Sequence, residues 1–155
     1  MRTITTDRIE KTVRLSHPRS KVWRALTDSR ELGKWFGAIF TEPFAPGTRV
    51  QGAVTYPGYE HMTMDIAIER MEPERVFSWR WHPGGAAPGE SFAHEPRTLV
   101  VFELEDLPGG GTLLTVVETG FDQIPIERRA RAFGENEQGW AEQMVAIEEH
   151  LGRAS

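Results

Sequence analysis

The sequence predicts a protein of the α+β class, in which one face of an antiparallel sheet is covered by a long C-terminal helix. Segments with apolar residues at every second position recur along the chain and are separated by short turns, so successive strands must run antiparallel. Near the C-terminus, Trp140, Met144, Ile147 and Leu151 form an apolar stripe at helical spacing. This stripe predicts one long helix over about residues 135–151.

Length and charge exclude several classes of protein. The 155 residues carry 18 Lys and Arg against 23 Asp and Glu, for a formal net charge of −5, and include no cysteine. A chain of this length can bury a sizeable core without a disulfide or a metal, so we expect a single domain over 1–155 with its core at about 8–151. The acidic balance argues against a dedicated nucleic-acid binder. We expect Arg128, Arg129 and Arg131, the one tight basic cluster, on a solvated helix face.

The hydropathy pattern bears on localisation. No apolar run approaches the roughly 18 residues of a bilayer span. The first ten residues lack the apolar stretch of a secretory signal. We therefore expect a cytoplasmic protein without stable membrane insertion.

The first three elements are a strand and two short helices. Residues 8–15 alternate apolar with polar side chains, which predicts a half-buried strand. A helix can begin at Pro18, because the proline ring presets φ for a first helical turn. Thr27 and Asp28 can cap a second helix. The apolar positions of that second helix are Leu32, Trp35 and Phe36.

Five further strands are predicted, at residues 49–56, 62–71, 76–81, 98–106 and 112–119. The glycine run at 109–111 joins the last two strands and lacks a following Lys-Ser/Thr, so it predicts a hairpin turn and not a phosphate loop. Residues 82–97 are rich in proline and glycine and have no sustained periodicity. They predict a long surface loop, which we expect to form the rim of a site.

A binding pocket is expected between the sheet and the helix, because one helix cannot fill the concave side of a twisted sheet. Trp79 and Trp81 lie two residues apart and so on one sheet face, where a polar-edged pocket would supply partners for their indole N–H groups. Methionine side chains adapt to varied apolar ligands. For each of these residues, plain core packing is the alternative. The predicted apolar lining consists of Trp35, Phe36, Met62, Met64, Trp79, Trp81, Phe102, Phe121, Trp140 and Met144.

Glu118 is the candidate polar group of this pocket, because it interrupts the apolar run of the strand at 112–119. If it shares an inward face with Leu114 and Val116, it is a desolvated carboxylate that could act as a general base or a hydrogen-bond anchor. A register shift of one residue would instead place it in water. His61 and Asp65 share the face opposite Met62 and Met64 and would line the pocket if the methionines do not.

No metal site and no cofactor are expected. The five histidines have no ligand-like spacing, and there is no cysteine to assist them.

Short motifs along most of the chain resemble a known superfamily. They are Ser16-His17-Pro18, Val22-Trp23-x-Ala25-Leu26-Thr27-Asp28, Leu32-x-x-Trp35-Phe36, Pro73 followed by Val76-Phe77-x-Trp79, Thr98-Leu99-Val100-x-Phe102-x-Leu104, Thr119-Gly120-Phe121 and Gly139-Trp140. From about residue 8 to residue 151 the chain resembles the START-related helix-grip (SRPBCC) superfamily. Within it, the chain is similar to the bacterial branch that is related to the C-terminal domain of the activator of the ninety-kilodalton heat-shock chaperone ATPase.

The resemblance implies a helix-grip fold, in which a curved antiparallel sheet of about six strands wraps around a long C-terminal helix and encloses an elongated cavity. Relatives include lipid and hormone carriers and aromatic polyketide cyclases. We therefore expect binding of a small hydrophobic molecule, aromatic or lipid-like. The alternatives are a cyclase- or hydrolase-type enzyme acting on an aromatic ketide-like substrate, with Glu118 as candidate catalytic residue, and a stress-response module that contacts a chaperone. The formation of a homodimer is a further alternative that the resemblance leaves open.

Overall fold

The computed structural model describes residues 8–84 and 91–153. The strands are β1 (Arg8–Leu15), β2 (Ala38–Phe40), β3 (Arg49–Val54), β4 (Thr63–Glu72), β5 (Val76–Trp81), β6 (Thr98–Asp106) and β7 (Thr112–Thr119). The helices are α1 (Arg19–Thr27), α2 (Ser29–Phe36) and α3 (Ile126–Arg153), and a short 3-10 turn covers Phe121–Gln123.

The strands form one antiparallel sheet in the order β1-β7-β6-β5-β4-β3-β2. Helix α3 packs against β1 and against α1 and α2, so the two short helices and the long one gather on the same side of the sheet. This arrangement confirms the predicted α+β class and the helix-grip architecture, with two short helices after the first strand.

Local signals in the sequence explain where α1 and α2 begin and end. Pro18 lies at the start of α1, and its carbonyl oxygen accepts from the backbone N–H of Val22 at 3.2 Å. Asp28 caps α2, because its Oδ1 accepts from the backbone N–H groups of Arg30 and Glu31, each at 3.1 Å. Gly37 ends α2 with a φ of 99°, which a residue without a side chain adopts at low cost.

Two elements differ from the sequence prediction. Strand β2 is three residues long, too short for alternation of apolar side chains to reveal it. Helix α3 begins at Ile126 and not near residue 135. Its first two turns hold three arginines, which obscured the apolar stripe that Ala132 continues on the buried face.

The expectation that Arg128 lies on a solvated face was wrong. Only 8% of Arg128 is exposed, because it faces the segment that follows β5 and forms an ion pair with Glu95 at 2.7 Å. Arg131 is exposed, as expected.

The space between the sheet and α3 is filled by aromatic and aliphatic side chains. Trp79, Phe102 and Trp140 form the centre of this core, with ring centroids 5.1 Å apart for Trp79–Phe102 and 5.6 Å apart for Phe102–Trp140. The buried stripe of α3 closes the core with Met144, Ile147 and Leu151.

None of the helices in the described ranges combines the length and apolar character that a bilayer crossing requires. Within the same ranges, no group of three or more His, Asp or Glu side chains is arranged to hold a metal ion.

Candidate functional site

A cleft of about 610 Å³ opens at one end of the sheet, where β4 and β5 part. The two strands pair from Ala67 and Arg80 to the turn that joins them, whereas Thr63–Ile66 pair only with β3. The cleft is lined by these strand ends, by the connection between β3 and β4, by residues of the 82–97 loop, and by one face of α3. Its volume lies in the range of small-molecule sites, about 300–1,000 Å³.

One side of the cleft is aromatic and sulfur-rich. Phe36, Met62, Met64 and Trp81 line it. The Phe36 ring lies 6.0 Å from the Trp81 ring and 5.8 Å from that of Trp140, so the wall of the cleft rests directly on the aromatic core. Aromatic pairs at this spacing pack favourably.

Helix α3 fixes the position of Phe36. The Gln143 side-chain Nε2 donates to the carbonyl oxygen of Phe36 at 3.0 Å, immediately before the left-handed turn at Gly37. Gln143 also lines the cleft. The backbone at the end of α2 is thus tied to the helix across the cleft.

Glu118 lies behind the aromatic wall and is fully buried. Its Oε2 accepts from Trp81 Nε1 at 2.8 Å and from Thr98 Oγ1 at 2.5 Å. Its Oε1 accepts from Trp140 Nε1 at 2.8 Å and from Asn136 Nδ2, also at 2.8 Å. Four donors, from strands β5 and β6 and from helix α3, therefore converge on one carboxylate of β7.

The local structure explains this convergence. Glu118 lies on the same face of β7 as Leu114 and Val116, because side chains on a strand alternate. On α3, Asn136 and Trp140 are four residues apart and so project from the same face towards the sheet. The inward register, one of the two alternatives left open by the sequence, is the one that the structure has.

The four hydrogen bonds indicate what Glu118 does. Glu118 does not line the cleft, whereas two of its donors, Trp81 and Asn136, do. Because both oxygens already accept from protein donors, the carboxylate holds an indole and an amide in place at the cleft wall. We therefore regard Glu118 as a positioning residue.

Trp79 differs from its neighbour Trp81. It is fully buried, and its Nε1 has no hydrogen-bond partner among the described residues. Its ring packs at 5.5 Å from that of Trp81 and at 6.0 Å from that of Phe36. The polar partner that the sequence suggested for both indoles is thus present for Trp81 and missing for Trp79.

The other end of the cleft is polar. Asp65 accepts from Arg49 Nε at 2.8 Å and from Arg49 Nη2 at 2.5 Å, and Gln51 lies beside them. The hydrogen bonds from Arg49 are the main reason that the pKa of Asp65 is held below its ordinary value. Burial, and then the charge of Arg97, lower the pKa of His82, which lies next to Trp81. Asp65 is therefore ionised and His82 neutral at pH 7.

The segment that follows β5 is fastened to the start of α3. The Arg128 guanidinium lies 3.5 Å from the centroid of the Phe92 ring and pairs with Glu95. Arg128 Nη2 also donates to the carbonyl oxygen of Pro83 at 3.2 Å. These contacts hold the described part of the predicted 82–97 loop at the rim of the cleft, and residues 85–90 of that loop lie outside the described ranges.

The residues that the sequence analysis singled out divide into two groups. Phe36, Met62, Met64 and Trp81 line the cleft, as do His61 and Asp65. The others lie in the core. Trp79, Phe102, Trp140 and Met144 pack beneath the aromatic wall, Trp35 donates its indole N–H to the carbonyl oxygen of Ala25 at 2.9 Å, and Phe121 packs against Phe133.

Several cleft residues were not predicted. Asn136 and Gln143 lie four residues before and three residues after Trp140, so the helical stripe could have identified both. Tyr56 and Tyr59 flank the Pro57-Gly58 turn with their ring centroids 5.9 Å apart, but no periodicity marks turn residues. Arg49 and Gln51 are on the outer face of β3. They line the cleft only because β4 and β5 separate at this end of the sheet.

Comparison with known proteins places the chain among relatives. The family model described as "Activator of Hsp90 ATPase homolog 1-like protein" matches residues 16–152. A search of curated proteins finds no match. Among solved structures, protein MLL2253 from Mesorhizobium loti is 25% identical with a TM-score of 0.74, and the alignment covers 96% of this chain and 98% of that one.

Two more distant structures share the fold. The Aha1 dimer from Colwellia psychrerythraea is 16% identical with a TM-score of 0.68, over 93% of this chain and 95% of that one. DynU16, a protein from the dynemicin biosynthetic locus, is 22% identical with a TM-score of 0.71, over 96% of this chain and 48% of that one.

Proposed function

The chain belongs to the family of Activator of Hsp90 ATPase homolog 1-like proteins, and we propose that this member binds a small, largely apolar molecule, aromatic or lipid-like, in the cleft at the open end of the sheet. The observation that carries the proposal is a cleft of about 610 Å³ with an apolar wall of Phe36, Met62, Met64 and Trp81. Such a wall, with a few polar groups at one end, is typical of ligand sites.

The wall is preorganised to receive a ligand. Trp81 is held by Glu118, and the backbone of Phe36 is held by Gln143. A ligand that packs on rings already fixed in place does not have to order them, which reduces the entropic cost of binding. The methionines on the same wall can adjust to ligands of different shape.

Mass spectrometry of the purified protein tests the proposal without a choice of ligand. Native and denaturing spectra are recorded side by side, and we expect the native spectrum to contain a bound apolar molecule that denaturation releases. A thermal-shift screen of aromatic ketides, flavonoids and fatty acids complements it, because a ligand of the native state alone must raise the melting temperature.

Variants show whether a ligand occupies this cleft. Trp81→Leu should weaken binding of the released or screened ligand about tenfold or more, since it removes a large part of the aromatic wall. Trp23→Leu is the matched control, because Trp23 packs on Phe77 and does not line the cleft. Equal loss of binding in both variants, or in neither, would contradict the assignment of the site.

The family match favours a second candidate, contact with a chaperone. It predicts that the protein stimulates the ATPase of the heat-shock chaperone from the same source in a saturable manner. Stimulation that persists in Trp81→Leu would separate this activity from ligand binding, whereas the absence of stimulation would rule it out.

A further inference from the structure

The nitrogen donors next to the aromatic wall are already used within the protein. Trp81 has a single side-chain N–H group, which donates to Glu118. Asn136 Nδ2 lies 2.8 Å from one oxygen of the same carboxylate and 3.1 Å from the other, so its N–H groups are directed there. At the polar end, Arg49 is paired with Asp65 through two hydrogen bonds. A ligand that accepts from the same N–H groups must break existing hydrogen bonds, which offsets the gain.

His82 differs from these donors because it offers a hydrogen-bond acceptor. It follows Trp81 directly and lines the cleft where the aromatic wall meets the polar end. Its Nε2 lies 3.0 Å from the carbonyl oxygen of Glu95. Because a carbonyl oxygen has no proton to give, Nε2 is the nitrogen that carries the proton of the neutral ring. The other nitrogen, Nδ1, is then unprotonated and holds a lone pair.

This lone pair is open to a ligand. Nδ1 of His82 has no hydrogen-bond partner among the described residues. The buried side-chain nitrogens without a partner in the same ranges are Trp79 Nε1 and Arg128 Nη1, so Nδ1 is not shut off from solvent. The cleft is the opening that the half-buried His82 ring lines. Since the carbonyl of Glu95 fixes the other side of the ring, Nδ1 is held in place before a ligand binds.

The surroundings of His82 keep the lone pair available at neutral pH. Burial is the main cause of its lowered pKa, and the charge of Arg97 is the second. The hydrogen bond to the Glu95 backbone and the charges of Asp65 and Glu95 act in the opposite direction and do not offset these two effects. The ring is therefore neutral at pH 7, and its Nδ1 can accept a hydrogen bond.

We propose that the cleft takes a phenol, whose ring packs on Phe36 and Trp81 and whose hydroxyl group donates a hydrogen bond to His82 Nδ1. This ligand class deepens the proposed function and rests on it. The ring of a phenol matches the aromatic wall, and its hydroxyl supplies a donor for the one acceptor that the wall residues do not use. An apolar ligand without a donor would exclude water from Nδ1 and leave it unpaired, which weakens binding.

Two probes with the same ring system test the role of His82. 2-Naphthol carries a hydroxyl donor, and 2-methoxynaphthalene has the same rings without a donor. Each is titrated into the folded protein at pH 7, and the shift of the Trp81 indole N–H signal in NMR spectra gives the dissociation constant. The measured quantity is the ratio of the two dissociation constants. Because the rings contribute to both, the ratio reports the contribution of the hydroxyl group.

We expect His82→Phe to weaken binding of 2-naphthol about fivefold relative to 2-methoxynaphthalene, as loss of a hydrogen bond between neutral groups predicts. Phenylalanine keeps a ring at this position and removes the acceptor. His94→Phe is the matched control, because His94 is exposed on the same segment and does not line the cleft.

The pH dependence of the wild type is a second measurement, which decides the test if His82→Phe fails to fold. As the pH falls through the midpoint of His82, Nδ1 gains a proton and can no longer accept. Binding of 2-naphthol should then weaken, and that of 2-methoxynaphthalene should stay unchanged. The hydroxyl of the probe keeps its proton in this range, since phenols titrate near pH 10, as tyrosine does at about 10. His61 and Asp65 also line the cleft, so a midpoint of His82 that falls on saturation with 2-naphthol assigns the effect to His82.

The outcomes separate the two proposals. If both probes bind saturably but their ratio depends neither on pH nor on His82→Phe, the phenol site is wrong and the apolar cleft stands. A ratio that changes in His82→Phe without any dependence on pH would also contradict the acceptor role of His82. If neither probe binds saturably, both proposals are wrong. A ratio that depends on pH and changes in His82→Phe but not in His94→Phe supports both.

Discussion

Trp81 donates its indole N–H to Glu118 over 2.8 Å, and β6 lies between the two strands that carry them. This hydrogen bond connects the wall of the cleft to the centre of the core, because the other oxygen of Glu118 accepts from Trp140. The orientation of the aromatic wall therefore depends on a residue that does not itself line the cleft.

Replacement of Glu118 by glutamine tests this dependence. The amide group replaces one acceptor oxygen with a donor that faces indole and amide N–H groups, so at least one buried donor loses its partner. We expect the free energy of unfolding, measured with urea at pH 7, to fall by about 2 kcal/mol. Glu103→Gln is the control, since Glu103 is exposed on β6. This substitution should change the free energy of unfolding by less than about 0.5 kcal/mol. A similar small effect for both variants would show that the hydrogen bonds to Glu118 do not stabilise the fold.

Two glycines give opposite predictions for substitution by alanine. At Gly139, inside α3, an added Cβ meets nothing within 4 Å, so Gly139→Ala should stabilise the protein by about 0.5–1 kcal/mol through helix propensity. At Gly52, the added Cβ would lie 2.7 Å from the Phe40 ring, so Gly52→Ala should destabilise it by about 1–3 kcal/mol. Urea unfolding of both variants measures the two changes. Destabilisation by Gly139→Ala would mean that this part of α3 packs more closely than described.

The titration of His82 gives a prediction for pH. Burial, and then Arg97, lower its pKa, so the folded state binds the proton less readily than the unfolded state, whose histidine titrates at about 6.5. The contribution of His82 to stability is therefore complete above about pH 6.5 and is lost as the pH falls from there towards the folded-state pKa.

An NMR titration of the His82 ring protons should give a midpoint below about 6.5. The midpoint should rise in Arg97→Gln and stay unchanged in Arg75→Gln, because Arg75 pairs with Glu72 at the far end of the β4–β5 hairpin. Asp65 and Glu95 also act on His82, and neither is altered in these variants. A wild-type midpoint at or above the ordinary value would contradict the burial of His82 beside Arg97.

The ion pair between Arg128 and Glu95 predicts a large effect of a single substitution. Arg128→Met leaves Glu95, whose side chain is 6% exposed, without its charged partner. We expect the free energy of unfolding to fall by about 3 kcal/mol, as for other broken buried pairs. Arg131→Met is the comparison, because the Arg131 side chain is 51% exposed and its pair with Glu135 spans 3.8 Å. Its effect should stay below about 1 kcal/mol.

Alternation and helical spacing were sufficient to predict most of the fold. Strand β1 and the end of α3 follow patterns that arise from one buried face, and these patterns are visible in a single sequence. A helical arginine cluster was expected, but its continuity with the long helix was not predicted, because the buried face there includes Arg128, a residue type that is rarely buried without an ion pair. The partner, Glu95, is 33 residues away in the chain, and periodicity carries no information about such a pair.

The candidate site was predictable only in part, for a related reason. Trp81 and Glu118 were both singled out, but whether each faces a cleft or the core depends on where the strands stop pairing. The divergence of β4 and β5 exposes Trp81 and leaves Trp79, two residues earlier on the same face, fully buried. The contribution of Arg49 depends on the same divergence, because its side chain belongs to the outer face of the sheet.

The most direct test of ligand binding in this cleft follows the tryptophan indole N–H signals by NMR while N-phenyl-1-naphthylamine is added. The indole of Trp81 lines the cleft, whereas that of Trp35 is hydrogen-bonded to Ala25 away from it. We predict a saturable shift of the Trp81 signal with the Trp35 signal unchanged. Saturable binding of the probe with no change at Trp81, or no binding at all, would contradict the assignment of this cleft as the ligand site.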